Sequence, residues 1–338
     1  MVPPRLTFFC ELNGASIGAL FSTPNLIDDL LQLKAGVSMG LVDLSPERAS
    51  VVRKLNNVGV PVIAWLLLPE EHGYWFNMDN LLEANHRYDE FAAWTKQNGL
   101  RWVGVGLDIE SDIREMSQLA KDPLVIIPKL LNRLFDRKRL MHAETGYQEL
   151  VNRIRSDGYY VESYQIPLIV DERKIGSTFI RRLGGLVDIK VDREVWMLYS
   201  SLLRPHGVGL LGSYAPQAQA IGVGVTGGGV DIEFGNPVPL TWDELARDLR
   251  LAWYWCDNIY IFSLEGCITQ GFLSNLKTFQ WDMPIMIPDK PIARMDSWRR
   301  MIRSVLWLSA HLWAVLISLL GLYISFRILL RWMRGKDV

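Results

Sequence analysis

Two acids one residue apart, Asp108 and Glu110, close the otherwise apolar stretch RWVGVGLDIE at residues 101–110. Successive side chains of a β-strand point to opposite faces, so Gly104, Gly106, Asp108 and Glu110 share one side. Val103, Val105, Leu107 and Ile109 share the other, an apolar face suited to packing on helices. Two glycines followed by two carboxylates suit the crowded interior of a small closed barrel that opens into a polar mouth. Carboxyls held close together and shielded from water have raised pKa values, and such an acid can deliver a proton near neutral pH.

More acids fall on strand-like runs. Glu11 ends the first (RLTFFCEL), Asp43 the second (VSMGLVDL), Glu162 lies on the fifth (YYVESYQI), and Glu265 ends the eighth (IYIFSLEG). One such acid alone is ordinary for a solvated loop or a helix cap; several on one rim point to chemistry or to a bound cation. Two classes of chemistry use the pattern. In glycoside hydrolysis one carboxylic acid protonates the leaving oxygen while a second carboxylate, a water or a substrate group attacks the sugar carbon. The rival is a divalent-metal site for Mg²⁺ or Mn²⁺ built from hard oxygen ligands, as in a barrel isomerase or phosphodiesterase. None of the five histidines, His72, His86, His142, His206 and His311, ends a strand, which speaks against zinc. Aromatic residues favour sugar. Tyr74, Trp75 and Phe76 follow the third strand, where flat rings either stack on a sugar face or plug the barrel top, whereas Trp253, Tyr254 and Trp255 lie late on a helix and read as core.

The elements that must hold these residues alternate strand and helix over residues 6 to 290, the signature of βα units around a parallel sheet. Ser45, Pro46 and Gly59 bracket one helix, and Thr241 with Glu244 stands at capping-box spacing on another. A lid-like insertion and a helix fill the stretch from Ser111 to Arg155. The sixth unit is blurred, which leaves an open doubly wound sheet as the alternative, but no dinucleotide fingerprint, P-loop or repeat supports it. Eight strands in this length fit a (β/α)₈ TIM barrel, whose active sites sit at the C-terminal strand ends. The VTGGGVD loop at 225–231, after the seventh strand, reads first as a flexible loop and second as a seat for phosphate.

GVGLDIE, VWMLYSS and IYIFSLEG together resemble the family 18 glycoside hydrolases, the chitinase-like barrels. Those barrels end strand four in Asp-x-x-Asp-x-Asp-x-Glu, carry Met-x-Tyr on strand six, and have a Trp on strand eight beneath the reacting sugar. The resemblance implies Glu110 as proton donor, Asp108 as the acid that orients a substrate acetamido group, and Tyr199, beside Met197, as the tyrosine that helps hold it. Gly106 and Val103 stand at the two earlier acidic positions, and Phe262 stands near the position of the Trp. Asp-x-Glu on strand four is similar as well to the family 25 lysozyme-like barrels.

The chain has 338 residues and a formal net charge of −1, so it offers no electrostatic footprint for nucleic acid. Cys10, Cys256 and Cys267 have no metal-ligand or disulfide spacing and read as buried free thiols. From Ser304 to Phe326 there is no Asp, Glu, Lys or Arg, a run longer than the roughly 20 residues that cross a bilayer. His311 within it reads as incidental. Arginines flank both ends, so the side of the membrane is not set. The first residues lack a signal-peptide pattern, and taken as they stand they put the barrel in the cytoplasm. The expected organisation is a barrel over 1–290, a basic linker over 291–303, a single C-terminal transmembrane helix over 304–326 and a basic tail over 327–338. The expected function is cleavage or transfer of a glycosidic bond in a carbohydrate or lipid-linked glycan, with no cofactor and no metal. Glu110 and Asp108 carry it, Tyr199 assists, and Glu265 or Glu162 is the second carboxylate; Glu11, Asp43, Tyr74, Trp75 and Phe262 contact substrate. A barrel that binds glycan without turnover is the remaining rival.

Overall fold

A computed structural model describes residues 3–230, 238–311, 314, 317, 318 and 320–327. Eight parallel strands close a barrel in chain order: β1 (Arg5–Cys10), β2 (Gly36–Leu41), β3 (Val62–Leu66), β4 (Gly104–Ile109), β5 (Tyr160–Gln165), β6 (Arg193–Met197), β7 (Ala220–Gly224) and β8 (Asn258–Phe262). β8 pairs back onto β1 from Arg5↔Asn258 to Phe9↔Phe262, so the sheet has no edge. The expected (β/α)₈ barrel is the fold observed.

Alternation along the strands explains the closure. Phe8, Val37, Ala64, Val105, Leu107, Val161, Ile221 and Ile259 face outward and are fully buried against the helices. Phe9, Ile63, Trp65, Tyr164, Val195 and Tyr260 face inward and fill the barrel with a second, largely aromatic core. Phe9 is the hub, edge-on to Trp65 at 5.2 Å and to Tyr164 at 4.8 Å between ring centroids. Glycine makes the room: a Cβ on Gly106 would stand 2.2 Å from the Tyr164 hydroxyl. That hydroxyl is fixed in turn by Ser38 Oγ at 2.7 Å. Val103 departs from its expected helix-packed place and is 56 % exposed, because β4 begins only at Gly104.

The helix caps form as their residues require. Ser45 Oγ accepts from the backbone N–H of Arg48 at 3.3 Å, and Gly59 ends that helix at φ +83°. Thr241 and Glu244 close the capping box of the helix Trp242–Trp255. The far end of that helix corrects the core reading: Tyr254 and Trp255 are about half exposed, and Trp253 meets Trp281 edge-on. After β4 the chain forms Ile113–Lys121, Pro123–Phe135 and Arg137–Ser156, the first two being the expected insertion. The blurred sixth unit is two short helices, Leu168–Ile175 and Phe179–Gly184, followed by irregular chain descending to β6.

The expected linker at 291–303 is instead part of a helix, Asp289–Ala310, packed on the barrel wall. Arg299 is buried there, donating to Asp171 at 2.8 and 2.9 Å and lying 3.6 Å over the Tyr214 ring. Leu306 is buried, and Ser309 Oγ meets Ser177 Oγ at 3.1 Å, so the first residues of the expected membrane span also serve this contact. Among the described residues no helix is long and apolar enough to cross a membrane. Positions 312, 313, 315, 316 and 319 of the expected span, and the tail from 328, lie outside the described residues.

Candidate active site

β4 delivers Asp108 into the barrel mouth, where it is 2 % exposed. Its Oδ2 accepts the indole N–H of Trp65 at 3.1 Å, while Oδ1, also buried, has no hydrogen-bond partner among the described residues. The loop after β3 is tied to the same place, since Phe76 N–H donates to the Asp108 carbonyl at 2.9 Å. Glu110 follows two residues on and is partly exposed. Above these acids lies a cavity of about 320 Å³ whose lining includes Glu11, Trp65, Trp75, Asp108, Glu110, Tyr199 and Phe262.

Glu11, just past β1, is a third acid in this cavity. Its Oε1 accepts the Tyr74 hydroxyl at 2.6 Å, and its backbone N–H donates to Glu265 Oε1 at 3.2 Å. Tyr74 holds φ +63°, a left-handed conformation that a bulky residue seldom adopts, so the loop spends backbone strain to aim that hydroxyl at Glu11. Trp75 presents its ring to the cavity, and Phe76 turns away to pack beside Tyr147.

Electrostatics follow from enclosure. Burial pushes Glu11 up to about 8, with the charges of Glu265 and Glu110 adding to it and the Tyr74 hydrogen bond opposing. Burial likewise raises Glu110 to about 7. Asp108 is raised well above the usual carboxylate range, by burial first and then by Glu110 and Glu11. The Tyr199 phenol is also raised, by burial and by the same three acids. The cavity thus favours protonated carboxyls at neutral pH and sets Glu110 closest to the point where a proton can be given and retaken.

Six of the ten residues singled out from sequence line this cavity: Glu11, Trp75, Asp108, Glu110, Tyr199 and Phe262. Tyr74 and Glu265 stand one contact behind, through Glu11. Glu265 is covered by the glycine loop. A Cβ on Gly228 would lie 2.6 Å from its Oε1, and one on Gly229 would lie 3.0 Å from Glu11 Oε2. These two glycines, at φ +79° and +90°, therefore allow the loop to press on the two acids. Asp231 of that loop lies outside the described residues.

Two of the expected site residues are placed elsewhere. Glu162 lies below the aromatic layer, accepting the Tyr260 hydroxyl at 2.6 and 2.7 Å and Arg193 Nη1 at 3.0 Å. An inward acid one layer lower on a strand meets the barrel floor, not the mouth. Asp43 is held outside the cavity by Arg48, at 3.0 and 3.2 Å, and by the backbone N–H of Gly14 at 2.7 Å. Burial alone would raise Asp43, but the Arg48 guanidinium holds it well below the usual range. Arg48 is itself fully buried and donates to the carbonyls of Gly40 and Leu12, both at 2.6 Å, so this pair secures the strand ends.

Sequence reading missed Phe9, Trp65, Tyr164 and Met116, which also line the cavity. Phe9 was legible by parity, since it alternates with outward residues on β1, whereas Trp65 lies in a run apolar at every position; Met116 comes from the insertion and carried no signal. Among the described residues no group of three or more His, Cys, Asp or Glu side chains is arranged to hold a metal ion. The three cysteines are buried free thiols.

No protein-family model matches this chain, and no curated protein sequence matches it. Among solved structures it is similar to the PgaB (BpsB) glycoside hydrolase domain from Bordetella bronchiseptica, at 11 % identity and a TM-score of 0.48, over 82 % of this chain and 98 % of that one. It is similar also to the exo-beta-1,4-mannosidase Op5Man5 from Opitutaceae bacterium strain TAV5, at 9 % identity and a TM-score of 0.45, over 90 % of this chain and 60 % of that one. A D-allulose 3-epimerase from Methylomonas sp. aligns at 9 % identity and a TM-score of 0.41, over 88 % of this chain and 99 % of that one. At these identities and scores the likeness says nothing of chemistry.

Proposed function

We propose that the barrel acts on a glycosidic bond, with Glu110 as the general acid and Asp108 as the residue that positions substrate and tunes Glu110. The observation that carries this reading is the pairing of Asp108 and Glu110 in one aromatic-walled cavity, with Glu110 raised by burial to about 7. A proton donor must hold its proton on binding substrate and release it as the bond breaks, which a carboxyl titrating near neutrality does. Trp75, Tyr199 and Phe262 offer rings for a sugar face. The unpartnered Oδ1 of Asp108, when protonated, supplies a donor or acceptor to a substrate group. With Glu162 under the floor and Glu265 under the loop, attack falls to a substrate group or a water, and Glu11, which lines the same cavity, is a further carboxyl that can steer it. A phosphate on the glycine loop would meet two carboxyls, so a neutral, hydroxyl-rich ligand suits that loop better.

The test is turnover of an oligosaccharide panel, N-acetylated and plain, by the parent chain and by Glu110→Gln. The variant should lose about 10²- to 10⁴-fold in kcat with binding largely kept. Full turnover by the variant, or turnover abolished by chelator and restored by Mg²⁺, would overturn the assignment.

The uncharged run at 304–326 further supports a membrane tether for the barrel. Ile317, Leu320, Leu322, Tyr323, Ile324 and Phe326 stand exposed with nothing polar to justify it. The full chain should stay with membranes through an alkaline carbonate wash, and release into the supernatant would refute the tether.

A further inference from the structure

The helix Pro123–Phe135, PLVIIPKLLNRLF, is built the wrong way out for a soluble protein. Its inner side carries Ile126, buried, and Arg133, which grips Glu115 Oε2 at 2.9 Å and Asp79 Oδ2 at 2.7 Å. Its outer side carries Leu124, Ile127, Leu131 and Phe135 at helical spacing, exposed by 78, 40, 50 and 87 %. A surface helix ordinarily turns such a stripe inward and keeps its charges out. Here a polar clamp holds the helix to the barrel rim and leaves the apolar stripe facing solvent.

Charge says what covers it. After Asp136 the chain carries Arg137, Lys138 and Arg139, all exposed, of which Arg139 also pairs with Asp79 at 2.8 Å, and Arg182, its charged form disfavoured by burial first and then by Arg137, lies nearby. A leucine and phenylalanine stripe ending in a cluster of cations matches an interfacial helix on a negatively charged bilayer, with rings and branched chains at the acyl boundary and cations among the headgroups. A protein partner or a second copy would have to bring a groove lined with apolar side chains and rimmed with acids; a bilayer containing anionic lipid supplies both at once. We propose that Pro123–Phe135 seats the mouth side of the barrel on an anionic membrane surface. The helix belongs to the insertion after β4, the strand that carries Asp108, and the neighbouring helix places Met116 in the cavity wall. Seating this helix therefore brings the mouth to the bilayer. The inference does not depend on which reaction the barrel performs or on the C-terminal run.

The experiment places an environment-sensitive NBD fluorophore on Leu131→Cys in the full chain, where the native thiols are buried. In vesicles of phosphatidylcholine and phosphatidylglycerol the emission should shift blue and be quenched by nitroxide-labelled lipid chains. Phosphatidylcholine alone should give a weaker response. The same fluorophore on Asn152→Cys, at an exposed position of the helix Arg137–Ser156, should remain aqueous. Arg137→Glu with Lys138→Glu should reduce partitioning, each basic group being worth roughly fivefold at such a surface. Aqueous emission from position 131 in the mixed vesicles overturns the proposal, even where the C-terminal run holds the chain to them. A blue shift without lipid that grows with protein concentration overturns it in favour of self-association.

Discussion

Glu110 and Asp108 sit two residues apart on one strand, yet their surroundings separate them. Asp108 is enclosed and braced by the Trp65 indole, whereas Glu110 keeps a path to solvent and titrates at about 7. A proton given from Glu110 can be recovered from water; one on Asp108 cannot easily leave. That asymmetry assigns the roles and sets a pH profile. If Glu110 must be protonated to act, kcat is at its plateau below about 7 and falls about tenfold per pH unit above it. A rate that instead rose through that range would make Glu110 a base. The pair itself was legible from spacing alone, because strand alternation forces Asp108 and Glu110 to one side. Trp65, the residue that braces Asp108, was not singled out: nothing in VIAWLLL separates a ring facing the mouth from one facing a helix until the register of β3 against β4 is known.

At the scale of the strands, the inward side is a stack of layers, and each layer decides what its acid can do. Gly106 leaves the space that the Tyr164 ring occupies, and that ring, with Phe9 and Trp65, is the floor between Asp108 above and Glu162 below. Gly106→Ala should therefore cost about 1–3 kcal/mol, because the ring is wholly buried and cannot swing away. Urea unfolding would measure the loss, and Gly106→Ala with Tyr164→Leu should recover part of it. An unchanged midpoint for Gly106→Ala would mean that the floor yields more than its packing allows. The same layering explains what sequence reading placed and misplaced. Strand number, capping residues and the acids at β1 and β4 were readable from alternation and turn chemistry, which are local. Glu162 was read as a mouth acid because its strand was known but its height was not. That height depends on the stagger of β5 against β6, where Glu162 pairs with Arg193, and no single strand encodes it. Asp43 was read likewise, and its capture by Arg48 depends on how the next helix leans back over the strand ends.

For the molecule as a whole, two sets of buried acids have opposite consequences. Outside the barrel bore, Asp43 and Asp171 are partly desolvated, but Arg48 and Arg299 hold both below the usual range. Their stabilising effect is present above the unfolded carboxylate value and is lost as pH falls through their lowered folded values. The contact of Arg299 with Asp171 also docks Asp289–Ala310 on the wall, a pairing across 128 positions that made a packed helix look like a linker in sequence. In the bore, Glu11, Asp108, Glu162 and Glu265 are all raised, chiefly by burial. A group raised on folding binds its proton more tightly in the folded state, so its stabilising effect is full below the unfolded value and is lost as pH rises through the folded one. For Glu11 that window runs from the ordinary 4.5 to about 8. The two groups together place maximum stability on the acid side of neutrality, above the carboxylate range of the ion-paired acids and below the titration of the bore. The melting temperature should accordingly decline from about pH 5 to about pH 8, by an amount on the order of a few kcal/mol in unfolding free energy. Glu11→Gln cannot ionise and should flatten part of that decline while keeping the acid-side fall intact. Scanning calorimetry of both proteins across this range decides the matter: a melting temperature that rose towards pH 8, or a Glu11→Gln curve parallel to the parent, would mean that Glu11 is already ionised in the folded barrel.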